Sequence, residues 1–228
     1  MLSAIAIIPS APVMVPELAA GAAAELADLR EAVFTAGRSL PERWIAIGVG
    51  PSDAFVGIER SGTFAGYGVD VRVTLAPGAP TAEATGLPLC ALVAGWLRGQ
   101  VAPAARVSVQ VSADDHGVDA ALDRGRRLRA EIDEAPDPIG LLVVADGANT
   151  LTPPAPGGYD PDSIPVQTAL DDALAAGDAA ALARLPETIV GRVAYQVLAG
   201  VEPEPRSVKE FYRGAPYGVG YFAGVWLS

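Results

Sequence analysis

The chain reads Trp44-Ile45-Ala46-Ile47-Gly48-Val49 and continues directly into Gly50-Pro51-Ser52-Asp53. An uncharged apolar run that is closed by glycine and proline predicts a strand buried on both faces and followed by a turn. Similar runs at 3–8 and 139–145 predict two further buried strands. Because such strands are typical of sheets that helices cover on both sides, we expect an α/β protein.

Between these runs, longer segments carry apolar residues at helical spacing. The order of elements predicts one α/β domain over residues 1–228, with a central mixed β-sheet flanked by helices. Within it, 161–200 is a candidate for a small helical cap, and the Pro- and Gly-rich segment 146–160 is long enough to be a functional loop. The predicted helices are 20–37, 84–99, 117–132, 163–176, 178–184 and 187–200, and the further strands are 62–66, 69–75, 106–111 and a pair within 207–226.

The scarcity of histidine and cysteine excludes several kinds of metal site. The 228 residues contain one histidine, His116, and one cysteine, Cys90. Structural zinc needs about four Cys or His ligands, and non-haem iron usually needs two histidines and a carboxylate. A carboxylate-only site for magnesium or calcium stays open. Cys90 lies in an apolar helical pattern, so we expect it in the core without a disulfide.

Charge and hydropathy exclude two classes of partner. The net charge of −11 opposes nucleic-acid binding, and the basic stretch 124–129 is expected to be a solvated helix face. No apolar run reaches the ~18 residues of a membrane span. The first residues, 1–9, lack a basic beginning and end at a proline, which favours a buried strand over a signal peptide. We therefore expect a cytoplasmic protein.

Polar residues follow four predicted strands at their carboxyl ends, where ligands bind in open α/β sheets. One shared pocket is one interpretation of this pattern, and ordinary surface loops are the other. The four groups are Ser10, then Ser52 with Asp53, then Asp114-Asp115-His116, and finally Asp146 with Asn149.

A Ser/His/Asp triad is available among these residues by type alone. It would combine Ser10 or Ser52 with His116 and with Asp146 or Asp53. Such a triad needs the histidine within hydrogen-bonding distance of the serine, and the nucleophile pattern G-x-S-x-G is absent. We therefore favour a local pairing of His116 with a neighbouring aspartate.

A glycine-rich segment near the end of the chain, 218–222, lacks the third glycine and the following helix of a phosphate-binding loop. It predicts instead a strand that packs closely on a neighbour.

Three short motifs resemble the LigB-type class III extradiol dioxygenase superfamily, which includes MEMO-like relatives. The stretch 8–17 is similar to the family's opening P-H-P-P-L-L-V-P-E, and 50–52 is similar to its S-P-H. The third motif, 145–149, resembles the segment G-D-L-S-H, and 215–221 is similar to the ending of bacterial members. The resemblance covers most of the chain and implies a LigB-like α/β fold.

The resemblance also implies three histidines that this chain lacks. Ser10 and Ser52 stand where the two iron-binding histidines are expected, and Asn149 stands where the acid/base histidine is expected. Serine hydroxyls are poor Fe(II) ligands, and an amide cannot carry a proton at neutral pH. His116 matches none of these positions, and Glu210 is one candidate for a third ligand.

We therefore expect a LigB-like protein without iron or another cofactor, which binds a small polar or aromatic ligand. Two alternatives stay open: an enzyme, either a dioxygenase with a divergent metal site or a hydrolase with His116 and Asp146 as candidate catalytic residues, and a non-catalytic protein-interaction module. The resemblance further implies a homodimer. The expected pocket is lined by Ser10, Ser52, Asp53, Asp146, Asn149 and Tyr217.

Overall fold

A seven-stranded mixed sheet lies at the centre of the described part of this computed structural model, which comprises residues 1–19, 21, 24–81 and 84–228. The strands, in chain order, are β1 (Leu2–Ile8), β2 (Arg43–Gly50), β3 (Ala54–Val56), β4 (Ser61–Thr63), β5 (Arg72–Thr74), β6 (Arg106–Ala113), β7 (Ile139–Val144), β8 (Ser207–Gly214) and β9 (Tyr221–Leu227).

The central sheet has the strand order β3-β6-β2-β7-β1-β9-β8, and β4 pairs with β5 in a small sheet of its own. Four neighbouring strands, β6, β2, β7 and β1, run parallel. The strands β3, β9 and β8 pair in antiparallel fashion. The predicted α/β fold with a mixed central sheet is confirmed.

The central strands are apolar because helices cover both of their faces. All of β7 is buried, and so is nearly all of β1. In β2, a Cβ atom at Gly48 would lie 2.4 Å from Cβ of Cys90, so only glycine lets the covering helix approach this closely. Cys90 is buried in the core, as predicted, and this burial raises the pKa of its thiol to about 11.

The helices form two layers. Helices α2 and α3 cover one face of the sheet, whereas α4 and α7 cover the other. The helices are α1 (Pro16–Ala19), α2 (Ala27–Arg38), α3 (Leu89–Val101), α4 (Val118–Glu134), α5 (Ser163–Ala176), α6 (Ala179–Leu182) and α7 (Arg192–Val201). None of these described helices is long and apolar enough to cross a membrane.

The segment expected as a cap, 161–200, contributes its last helix to the layer on the sheet. Val193 and Leu198 of α7 are buried in one cluster with Leu141 of β7. Helices α4 and α7 also pack closely, since a Cβ atom at Gly125 would lie 2.2 Å from the Val197 carbonyl oxygen. This helix therefore belongs to the main fold, because its apolar face is buried on the sheet.

Several element bounds differ from the sequence expectation. The helix predicted over 20–37 begins at Ala27, with positions 20, 22 and 23 outside the described residues. The helix predicted over 84–99 begins after Pro88, which has an extended backbone. The predicted strands 62–66 and 69–75 pair only as β4 and β5, because a 3₁₀ turn at Phe64–Tyr67 separates them. The edge strand β3 was not predicted.

Candidate functional site

The polar groups predicted at strand ends all lie at one edge of the sheet, because β6, β2, β7 and β1 run parallel. They form two groups of contacts. The first, which we name the Asp146 cluster, contains Asp146 and Ser10 at the ends of β7 and β1. The second, the Asp53 cluster, contains Asp53 and His116 at the ends of β2 and β6.

The Asp146 cluster is built from backbone groups. The Ser10 backbone N–H donates a hydrogen bond to Asp146 Oδ1 at 2.7 Å. The Gly191 N–H donates to the Asp146 carbonyl oxygen at 2.8 Å, and the Tyr195 hydroxyl donates to the Ala145 carbonyl oxygen at 2.9 Å. A Cβ atom at Gly191 would lie 2.6 Å from Cβ of Ala145, so this close approach requires glycine. Two separate segments, at residue 10 and at residues 191–195, therefore hold the Asp146 side chain and the backbone of residues 145 and 146.

Burial makes the Asp146 carboxyl unusually basic. It raises the pKa of this group from 3.8 to about 7, and the hydrogen bond from Ser10 opposes the rise only in part. The side chain keeps partial solvent exposure, and Oδ2 accepts no hydrogen bond from any described residue. Near neutral pH both protonation states are therefore populated, which suits a group that donates or accepts a proton.

Two buried tyrosines lie near this carboxyl. Burial raises the pKa of Tyr195 and of Tyr221, and the charge of Asp146 raises both further. Tyr217 also acts electrostatically on Tyr221, and its hydroxyl donates to Glu25 at 3.2 Å. The predicted residue Tyr217 therefore makes its hydrogen bond to Glu25, and no described hydrogen bond joins it to Asp146.

The Asp53 cluster gives the single histidine a different partner from the one expected. His116 Nε2 lies 2.8 Å from Asp53 Oδ1, in place of the predicted pairing with Asp114 or Asp115. The Ala113 N–H donates to the same oxygen at 2.8 Å, and Arg124 Nη1 lies 3.3 Å from Asp53 Oδ2. The Ala113 bond, followed by the His116 bond, lowers the pKa of Asp53. This carboxylate is therefore held in its ionised form.

No serine hydroxyl in the described ranges is hydrogen-bonded to His116. The serine–histidine contact that a catalytic triad requires is therefore not made here.

The start of α7 connects the two clusters. The Arg192 guanidinium donates to the carbonyl oxygens of Asp114 and His116, both at 3.2 Å. The preceding residue, Gly191, donates its backbone N–H to the Asp146 carbonyl oxygen. The contacts of Gly191 and Arg192 were not predicted from the sequence, since their partners lie about 50 to 80 positions away along the chain.

Two other predicted site residues are placed less centrally. Ser52 is exposed, and its hydroxyl makes no hydrogen bond within the described part of the chain. Asn149 lies inside the predicted loop 146–160, where its carbonyl oxygen accepts from the Gly157 N–H at 2.9 Å. A Cβ atom at Gly157 would lie 2.3 Å from Asn149 Oδ1, so the loop folds tightly onto this side chain.

Loop 146–160 is also tied to the glycine-rich segment 218–222. The Gly147 N–H donates to the Gly220 carbonyl oxygen, and the Gly220 N–H donates to the Ala148 carbonyl oxygen, both at 2.8 Å. A Cβ atom at Gly220 would lie 2.2 Å from Cδ of Gln167. The predicted close packing of these glycines is confirmed, but the predicted strand begins only at Tyr221, after both of them.

The residues that the LigB-type resemblance places at metal positions do not fit Fe(II). Ser10 and Ser52 offer neutral hydroxyls, and Asn149 offers an amide, which are weak ligands for this ion. Across residues 1–19, 21, 24–81 and 84–228, no group of three or more His, Cys, Asp or Glu side chains could hold a metal ion. Glu210, the candidate third ligand, is paired through both carboxylate oxygens with Arg213.

The fold has a counterpart among solved structures. The chain is similar to the crystal structure of the uncharacterized protein JW3007 from Escherichia coli K12, with a TM-score of 0.60 and 12% sequence identity. The similarity covers 99% of this chain and 100% of that chain. No family model and no curated protein matches the sequence. At this identity the likeness shows the shared fold alone.

Proposed function

We propose that this chain is a LigB-like protein without the iron chemistry of the class III extradiol dioxygenases, and that it binds a small polar or aromatic ligand at the Asp146 cluster. The observation that carries the proposal is the Asp146 carboxyl itself. It lies at the carboxyl ends of two central parallel strands, where α/β proteins bind ligands. One of its oxygens is held by Ser10, and the other is left for a ligand.

The pKa of this carboxyl favours a ligand with hydroxyl groups. With a pKa of about 7, Asp146 can accept a hydrogen bond from a phenol or alcohol when ionised. When protonated, it can donate one to a carbonyl oxygen. Tyr195 and Tyr221 are themselves buried, so they contribute a surrounding of low polarity, in which a hydrogen bond to the carboxyl is stronger than in water. A small hydroxylated molecule such as a phenol meets these requirements.

Titration with catechol, followed by two-dimensional NMR of the intact chain, tests the proposal. We expect saturable shifts of the backbone amides of residues 10 and 146–149. 1,2-Dimethoxybenzene has the same ring without donors and should bind much more weakly. Asp146→Asn should weaken catechol binding about tenfold, since a charge-assisted hydrogen bond is lost. Asp115→Asn, which changes an exposed aspartate in the same way, is the matched control.

Two results would count against the proposal. Catechol binding that is equal in the wild type and the Asp146→Asn variant would show that the carboxyl does not contribute to binding. Retention of about one iron per chain after anaerobic exposure to Fe(II) and desalting would contradict the metal-free part, because that stoichiometry requires a specific site.

A further inference from the structure

A cavity of about 430 Å³ lies between α5, β8 and loop 146–160. Its size is within the range of small-molecule sites. Leu151, Ile164 and Ala215 supply apolar wall, and Gln167 and Asp171 supply buried polar groups. The cavity is therefore amphipathic, with carboxylate and amide groups at its base and aliphatic side chains around them.

Asp171 is the buried charge of this cavity. Its relative exposure is 8%, yet it lines the cavity wall. Its Oδ1 accepts a hydrogen bond from Gln167 Nε2 at 2.9 Å. Its Oδ2 accepts none from the residues whose positions are described. This oxygen is not fully buried, so a ligand that supplies a charged donor would replace water there with a charge-assisted hydrogen bond.

Arg213 also lines the cavity, but its guanidinium does not contact the Asp171 carboxyl directly. Arg213 donates from Nε and Nη2 to Glu210, at 2.9 and 2.5 Å, and from Nη1 to Asp172 at 2.7 Å. The carboxyl groups of Asp171, Asp172 and Glu210 thus lie near one guanidinium. Its N–H groups donate to Asp172 and Glu210 and not to Asp171. The region keeps an excess of negative charge, in line with the net charge of −11.

We infer that this cavity binds a small organic amine, whose ammonium group contacts Asp171 and whose apolar body packs against Leu151, Ile164 and Ala215. This site goes beyond the proposed function and is separate from Asp146. The side chain of Gln167 lies between the two, because its Oε1 accepts from the Ala148 N–H at 2.8 Å while its Nε2 donates to Asp171. An anionic ligand would be repelled, and a neutral alcohol would gain a weaker hydrogen bond.

Benzylamine is a suitable test ligand, with benzyl alcohol and benzoate as uncharged and anionic controls. In NMR titrations of the intact chain at pH 7.5, we expect benzylamine to shift the amides of residues 151, 168 and 215 saturably. Asp171→Asn should weaken binding about tenfold or more, through loss of the charge-assisted bond. Asp172→Asn removes the same charge from the adjacent exposed residue and should change the affinity less than about threefold.

The pH dependence provides a second measurement on the unmodified protein. Burial raises the pKa of Asp171 to about 6, while Arg213 lowers it and Glu210 and Asp172 raise it. Tyr195 is the titratable group of α7 that interacts with the same carboxyl. Benzylamine binding should therefore weaken as the pH falls through about 6.

Equal benzylamine binding by the wild type and Asp171→Asn, or equal losses in Asp171→Asn and Asp172→Asn, would overturn the assignment. So would amide shifts that lie at Asp146 and spare the cavity. Thermal unfolding of each variant verifies that it is folded. The pH series uses the unmodified protein, so it tests the site even if a variant does not fold.

Discussion

The replacement of Asp146 by asparagine should stabilise the folded protein relative to the wild type, and this stabilisation should grow as the pH rises. The buried carboxyl has a pKa of about 7 in the folded chain, compared with an ordinary value of 3.8. Between pH 3.8 and about pH 7, the Asp146 carboxyl of the folded chain holds a proton that the unfolded chain has released. The free energy of unfolding contributed by this group therefore falls as the pH rises from about 4 to about 7, and then stays constant.

The size of this effect follows from the two pKa values. Their difference corresponds to about 4 kcal/mol, at ~1.4 kcal/mol for each tenfold change in proton affinity. Asparagine has nearly the same shape and keeps an acceptor for the Ser10 N–H, but it carries no charge at any of these pH values. We expect Asp146→Asn to match the wild type at pH 4 and to exceed its stability by up to ~4 kcal/mol at pH 8.

Urea denaturation at half-unit steps between pH 4 and pH 8 measures the difference. Asp171, with its pKa raised to about 6, titrates in both proteins and so cancels in the comparison. Asp115→Asn, a change at an exposed carboxylate, should give a curve parallel to that of the wild type. If the Asp146→Asn and wild-type curves are also parallel, or if carbon-13 NMR places the Asp146 titration near pH 4, the reasoning from burial is wrong.

Other predictions test the packing and the hydrogen bonds around the site. Gly220→Ala should destabilise the fold by about 1–3 kcal/mol in urea denaturation, because its Cβ would lie 2.2 Å from Cδ of Gln167. Gly66→Ala, where no neighbouring atom lies within 4 Å in the described structure, should cost far less. Gln167→Leu leaves a buried N–H and a buried carboxyl without their partner and should cost ~2–4 kcal/mol in the same assay. Ser10→Ala should leave the NMR titration of Asp146 unchanged, since the backbone N–H makes that contact; a shifted midpoint would implicate the hydroxyl.

Most of the sheet was predictable from local pattern. The apolar runs at β1, β2 and β7 are long and unbroken because those strands are covered on both faces. The three-residue strand β3 was missed, since so short a run carries no periodicity of its own. The start of α3 was predicted too early, because Pro88 ends the extended segment before it.

The sequence indicated several residues of the candidate site, but it did not indicate which of them contact one another. The predicted strand ends placed Asp146, Ser10, Asp53 and His116 at one edge of the sheet, and the structure has them there because β6, β2, β7 and β1 run parallel. The partner of His116 depends on β2 lying next to β6, and strand order is a long-range property that single-sequence periodicity does not contain. Arg192 was missed for the same reason, since it contacts loop carbonyls far away in the chain.

The contact at position 10 is made by the backbone and does not depend on which side chain stands there. The Asp146 carboxyl is held by the backbone N–H of residue 10, and any residue except proline supplies that donor. The strand register between β1 and β7 places this N–H beside Asp146, so the contact depends on the sheet and is independent of the side chain. The side chain at position 10 can therefore change without loss of the hydrogen bond to Asp146, because that bond uses the backbone N–H and not the side chain.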